Sequence, residues 1–162
     1  MGKFSAALGL ILWAVGFNAT AVQAECSPGA VELRSDSGSI MRFSVEVADS
    51  DPERAQGLMN RERLPKSSGM LFVYPTPRVA TFWMKNTLIP LDMIFADPTG
   101  LVTHVHANAV PLDETTINGG PDVTYVLEIN GGMAGALGLR PGAVMRSDVL
   151  DQTVAAWVCG GA

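Results

Sequence analysis

The rhythm of apolar and polar positions changes several times along this chain. Residues 31–47 read as extended. "VEL" leads into "SDSGS", and "IMRFSVEVA" then alternates, with Phe43, Val45 and Val47 on one side and Arg42, Ser44 and Glu46 on the other. A period of two marks a half-buried antiparallel strand, and Asp36 and Gly38 supply hairpin turn chemistry. "SDPERAQGLMNRERL" breaks that rhythm. Pro52 suits a first helical turn, Ser50 or Asp51 a cap, and Glu53 the positive end of a helix dipole, so a short helix ending near Leu58 and Met59 is expected. Beyond "LPKSSG", extended signals return in "MLFVY", "VATFWMK", "LDMIF", "LVTHVHA" and "VTYVLEI". Pro75 and Pro77, "NTLIP" and "DPTG" separate the first four of these. "NGGMAGALGL" suggests one helical turn or a glycine-rich loop, "RPGAVM" a turn entering a strand, and "TVAAWV" a last strand. Many short strands with turns between them predict a mainly β fold: a single antiparallel sandwich or barrel with one or two short helices.

The two ends carry a different message. Lys3 precedes an apolar run over residues 4–17, and "NATAVQA" follows with Val22 and Ala24 at the small-residue positions of a cleavage site. That is the layout of a secretory signal peptide over residues 1–24, and its apolar part is short for a membrane span of about 20 residues. Residues 25–162 then form one β domain, exported to a periplasm or secreted, with a retained anchor as the alternative. An apolar fraction of 48% is inflated by this leader and does not indicate a membrane protein. Loss of Lys3 moves the formal charge from −5 to −6. A mildly acidic domain without a basic cluster is a poor nucleic-acid binder. Cys26 and Cys159, the only cysteines, lie at opposite ends of the mature chain. In an exported protein such a pair reads as a disulfide, and closing so long a loop contributes about 4–5 kcal/mol in the chain-entropy model.

The greasiest part of the mature chain, "FWMKNTLIPLDMIF", contains an amine, an amide, a hydroxyl and a carboxylate: Lys85, Asn86, Thr87 and Asp92. Strand alternation puts Thr81, Trp83 and Lys85 on one face and Asp92 with Ile94 on one face of the next strand. If the two strands pair as a hairpin, Lys85 approaches Asp92 across it. Glu128, between Leu127 and Ile129, supplies a second carboxylate. Lys85 is one of only two mature lysines, with Lys66, against eight arginines. Three readings fit this set. Lys85 forms a structural ion pair while Asn86 and Thr87 tie down a turn, because buried polar groups need partners. Alternatively, Trp83, Lys85, Asn86, Thr87, Asp92 and Glu128 bind a small polar or anionic ligand beside an aromatic wall. The third is acid–base catalysis, a hydrolase or lyase acting on a saccharide or other polar substrate through Lys85, Asp92 and Glu128.

Other motifs are weaker. His104 and His106, in "HVH", project from one strand face and are compatible with a metal ion, but nothing fixes a third ligand. Arg54, Arg61 and Arg63 read as a solvated face paired with Glu53 and Glu62. No GxSxG motif supports a serine nucleophile, and "NGG" and "LGLRPG" lack the lysine and hydroxyl of a phosphate loop. No cofactor is implied.

"GLMNRERLPKSSGMLFVY", "FWMKNTLIPLDMIFAD", "NAVPLDE", "YVLEINGG" and "LGLRPG" occur in that order. Over residues 42–145 the chain resembles the uncharacterised bacterial and archaeal family known as domain of unknown function 192. The resemblance implies a small, mainly β domain with a jelly-roll-like sandwich or barrel, and it implies no activity. His104 and His106 depart from the aliphatic or small residues usual there. The leading expectation is thus an exported ligand-binding or structural module, with the acid–base enzyme as alternative.

Overall fold

A computed structural model describes residues 25–160, so the leader lies outside the described residues. Nine strands and two short helices follow one another as β1 (Ala30–Arg34), β2 (Ile40–Ala48), α1 (Asp51–Gln56), β3 (Ser68–Arg78), β4 (Thr81–Phe82), β5 (Leu91–Ala96), β6 (Val102–Ala109), β7 (Ile117–Asn118), β8 (Val123–Asn130), α2 (Met133–Ala136) and β9 (Val144–Arg146). The fold is mainly β, as the alternation predicts. Seven strands form one curled sheet in the order β6-β5-β8-β3-β2-β1-β9, and β4 and β7 form a small second sheet. The curl brings the two edges of the large sheet together, where Leu101 bridges Val144.

Pairing is antiparallel except between β2 and β3, which run parallel with α1 in the crossover. Ser50 and Glu53 make a full capping box at the start of α1. The helix stops at Gln56, earlier than the pattern suggests, because Gly57 takes a positive φ of 48°. A Cβ at Gly57 would sit 3.2 Å from the Phe72 ring, so glycine also lets the helix exit run close over β3. Strand β3 continues through Pro75 and Pro77, which were expected to end it. Its register with β8 shifts between Val73 and Arg78, and at such an irregular, exposed strand end a missing N–H costs little.

The structure departs from the sequence pattern in the stretch after β3 and in the tail. "VATFWMK" is not a long strand pairing with "LDMIF". Only Thr81 and Phe82 are extended, and they pair with Ile117 and Asn118, a strand with too few residues to show a period. "TVAAWV" is a run of turns, not a strand. It is fixed by Trp157, whose ring has the guanidinium carbons of Arg34 and Arg146 at 4.5 and 4.2 Å. The next step of the chain is the disulfide between Cys26 and Cys159, with Cα atoms 5.2 Å apart.

The large sheet is covered on both sides. On its concave side Val31, Leu33, Phe43, Leu71, Ile94, Leu127, Ile129 and Met145 form one core with α2. On the other side Met70, Phe72, Leu91, Met93, Phe95 and Val126 form a second, closed over by Leu58, Met84 and the β4–β7 pair. Gly119, just after β7, lies so close to Phe95 that a Cβ there would fall 2.1 Å from the ring. No helix among the described residues is long and apolar enough to cross a membrane.

Two stability measurements follow. Replacing Cys26 and Cys159 by serine is expected to lower unfolding free energy by about 2–5 kcal/mol in urea titration, and reductant should do the same to the native protein. Gly119→Ala is expected to cost about 1–3 kcal/mol by overpacking against Phe95.

Candidate functional site

Strands β5 and β8 are neighbours inside the large sheet, and each contributes a buried carboxyl group. Asp92 lies opposite Ile129, and Glu128 opposite Met93. Side chains alternate along a strand, so the two acids project from opposite faces. Asp92 goes with Ile94 toward the concave core, and Glu128 goes with Val126 and Met70 toward the outer one.

Asp92 is fully buried and fully engaged. Its Oδ1 accepts the backbone N–H of Asn108 at 2.7 Å and of Gly132 at 2.9 Å, and Oδ2 accepts that of Ala134 at 2.6 Å. Gly132 is the N-cap of α2 and has no side chain to cap with. Asp92 therefore caps α2 from across the core and holds the start of the helix to β5 and β6.

Glu128 is in a different situation. It is 4% exposed and lines a pocket of about 180 Å³ on the outer face. Among the described residues its carboxyl has no hydrogen-bond or ion-pair partner. Burial alone pushes its pKa up from 4.5 to about 8. A neutral acid at pH 7 is the physical result of desolvation without a compensating charge.

The pocket is assembled from four segments. Residues 54–59, running from α1 into its exit, give Arg54, Leu58 and Met59; β3 gives Phe72 and Tyr74; β4 and the turn after it give Thr81, Phe82, Trp83 and Thr87; β8 gives Glu128. Phe72 and Phe82 meet edge to face at 5.2 Å, and Phe82 meets Phe95 at 5.7 Å. Trp83 is 48% exposed at the rim. Arg54 is turned to other tasks: it pairs with Asp51 and donates to the carbonyls of Asp49 and of Val73, the latter at 2.8 Å. Its guanidinium carbon is 5.4 Å from the Tyr74 ring centre, and Arg78 is 5.0 Å from the same ring. Burial also raises the Tyr74 pKa, against the pull of Arg78 and Arg54.

The six residues singled out in the sequence thus divide. Trp83, Thr87 and Glu128 share the pocket. Lys85 does not reach either carboxylate; its Nζ stands 5.1 Å from the centre of the Trp83 ring. The expected hairpin between its segment and β5 does not exist, which removes the approach to Asp92. Asn86 serves a turn: it has a φ of 52°, a backbone that asparagine tolerates better than most residues, and its carbonyl accepts the N–H of Asn60 at 2.8 Å. The Thr87 N–H donates to the Met84 carbonyl, its carbonyl accepts from Leu112, and its hydroxyl donates to the Lys85 carbonyl. Asp92 is on the far side of the sheet.

His104 and His106 stand on edge strand β6 opposite Phe95 and Met93, and His104 packs its ring 5.7 Å from that of Phe95. No group of three metal-ligating side chains occurs among the described residues. The arginine cluster also has other partners than the expected Glu53 and Glu62. Arg54 takes Asp51, and Arg61 forks onto both oxygens of Glu46, which lowers the pKa of that acid. Arg54, Phe72, Tyr74 and Phe82 escaped the sequence reading. Phe72 and Tyr74 stand in "MLFVY" and Phe82 opens "FWMKNTLIPLDMIF", but no sequence signal joins them to Arg54 across the β2–β3 crossover.

The family match agrees with this fold. A family model described as DUF192, Uncharacterized ACR, matches residues 32–147. The chain belongs to that family. No curated protein matches it. Among solved structures, a protein of unknown function from Novosphingobium aromaticivorans DSM 12444 is 44% identical, with a TM-score of 0.69 over 72% of this chain and 82% of that one. A second, from Sinorhizobium meliloti 1021 and described as a "putative transcription regulator", is 39% identical, with a TM-score of 0.70 over 76% of this chain and 95% of that one.

Glu128 makes stability depend on pH in a direction that can be worked out. Its folded pKa of about 8 lies above the ordinary 4.5, so between those values the folded protein holds a proton that the unfolded chain has lost. Stability is full below about pH 4.5 and falls as pH rises to about 8. The expected loss is roughly 3–5 kcal/mol. Glu128→Gln should flatten that slope and be more stable than the native protein at pH 8, as read from urea midpoints at several pH values. Asp92→Ala should do the opposite at every pH. It strands three N–H groups and is expected to cost roughly 3 kcal/mol or more.

Proposed function

We propose that the protein is an exported module that binds a small polar ligand in the outer-face pocket, with the Glu128 carboxyl as its anchor. One observation carries this reading. A buried acid without a partner costs stability, and glutamine would fill the same space without that cost. Such an uncompensated group facing a pocket is what a binding site looks like before its ligand arrives. Aromatic walls around a single convergent polar group are a common composition for small-molecule sites. The pocket is small, about 180 Å³. Thr81 and Thr87 are available for additional hydrogen bonds.

Export is supported by the leader-like residues 1–24 and by the disulfide joining Cys26 to Cys159, a bond that persists in oxidising compartments. The acid–base enzyme using Lys85, Asp92 and Glu128 together lacks support in the geometry. Asp92 is saturated and faces away, and Lys85 is turned to Trp83. A nucleic-acid role like that in the description of the Sinorhizobium protein is not favoured by a formal charge of −5.

The test is a thermal-shift screen of small polar compounds on the secreted, disulfide-bonded protein. A ligand at about a hundred times its Kd should raise Tm by about 5–10 °C. It should also change the emission of Trp83, with Trp83→Phe as control. Glu128→Gln should remain folded and lose the response. Turnover of a bound compound, abolished in Glu128→Gln, would replace the binding module with an enzyme. Intact mass of the secreted protein should show a start near Glu25 and two hydrogens fewer than the reduced chain; a full-length product or two alkylatable thiols would remove the export reading.

A further inference from the structure

We propose that the ligand of the Glu128 pocket is a small organic cation, an amine held as its ammonium ion between the carboxylate and the aromatic walls. This names the ligand class and rests on the binding reading above.

Three features point to a cation. The first is what surrounds the acid. Glu128 is the sole acidic residue lining the pocket, and Phe72, Tyr74, Phe82 and Trp83 line it with aromatic rings. The faces of such rings are negative, and a cation placed against them is attracted most strongly where water is excluded. A second carboxylate is not needed, and Asp92 is on the other face of the sheet.

The second is the disposition of the protein's own cations. Every positively charged side chain near the pocket is committed elsewhere. Arg54 of α1 is balanced by Asp51 and held by two backbone carbonyls. Arg78, at the end of β3, lies over Tyr74, and Lys85 lies over Trp83. None of the three pairs with Glu128. The aromatic rim therefore already displays the affinity for cations that the interior would use, while the one acid inside has no cation.

The third is the balance of charge on binding. An anionic ligand would find only Arg54, whose charge Asp51 already neutralises. A neutral ligand would leave the buried carboxyl protonated and gain one hydrogen bond from it. An ammonium ion lets Glu128 ionise with its counter-charge beside it, which is the arrangement that offsets the desolvation of both. The ammonium keeps its own protons, and the Glu128 proton passes to solvent. Because burial holds the free acid protonated at pH 7, uptake should release a proton. Tyr74 stays protonated over this range because burial raises its pKa, so the released proton comes from Glu128. The acidic charge of the whole chain also favours the approach of cations.

Isothermal titration at pH 7 decides the question, using the secreted protein and three probe sets: ethanolamine and putrescine; acetate; and glycerol with glucose. The amines are expected to bind, to change Trp83 emission, and to give heats that differ between phosphate and HEPES buffer by the amount that proton release requires. Glu128→Gln, which should be stable at this pH, is expected to weaken them at least tenfold. Binding of acetate, glycerol or glucose in place of the amines, and sensitive to Glu128→Gln, would keep the pocket as a binding site and overturn the cation. Amine binding unchanged in Glu128→Gln would also overturn it. Silence from all three sets, with Glu128→Gln simply more stable, would overturn both the cation and the binding reading.

Discussion

The fold depends on a strand pair, β5 and β8, that is covered on both faces. Every residue of β5 is buried, and so is every residue of β8 except Asn130. In such a pair a charged side chain has no solvent to fall back on, whichever face it takes. Yet each strand carries one acid, and the two have reached different solutions. Asp92 is surrounded by N–H donors, three of them, drawn from a strand end and a helix start. Glu128 receives none and keeps its proton instead. The same residue chemistry one register step apart has become a structural tie on one face and a poised group on the other. The register that separates them also fixes which core each belongs to, so a one-residue slip between β5 and β8 would misplace both.

This division also orders the rest of the architecture. The concave core contains the short helix that Asp92 caps, and it needs that cap because a four-residue helix starting at a glycine has almost nothing of its own to hold it. The outer core is covered less completely. Its lid is made of a two-residue strand pair, a helix of six residues and the segment after Gly57, none of which carries a large apolar face. A pocket opens where those thin pieces meet over β3 and β8. Stability is thus concentrated in the sheet and in the disulfide-tied ends, while the candidate pocket lies under the elements with the fewest internal hydrogen bonds.

Much of the scaffold was legible in the sequence, and the failures have specific causes. β2, β5, β6 and β8 announce themselves through alternation or through short, fully apolar runs, and the α1 cap through Ser50, Pro52 and Glu53. β4 and β7 do not, because two residues cannot display a period and their pairing joins segments 35 residues apart. β3 was cut short because proline normally ends a strand, whereas here its register shift makes two prolines tolerable. The parallel β2–β3 pair left no local signal either: direction is decided by the crossover, not by the strands. For the site, the sequence indicated Trp83, Thr87 and Glu128 but joined them to Lys85, Asn86 and Asp92. The error came from one assumed hairpin. Once β4 pairs with β7 rather than β5, each of those three has a local occupation: a ring, a turn and a helix cap.

The polar residues of "FWMKNTLIPLDMIF" therefore do not form one cluster; they let an apolar ribbon change direction and change sides. Asn86 and Thr87 close the turns that carry the chain away from Trp83. Asp92 fastens the next strand to the opposite core. What remains at the pocket is the aromatic beginning of the stretch, with Trp83 at the mouth and Phe82 within. Lys85 then has a meaning that a salt bridge would not give it. Resting over Trp83, it places a cation at the entrance of a cavity whose interior acid is neutral and whose lining arginine, Arg54, is paired with Asp51. A flexible amine on an exposed ring is easily displaced, since such contacts at exposed sites contribute about 0.5–1 kcal/mol. The rim can yield its place while the rigid strand beneath holds Glu128 still.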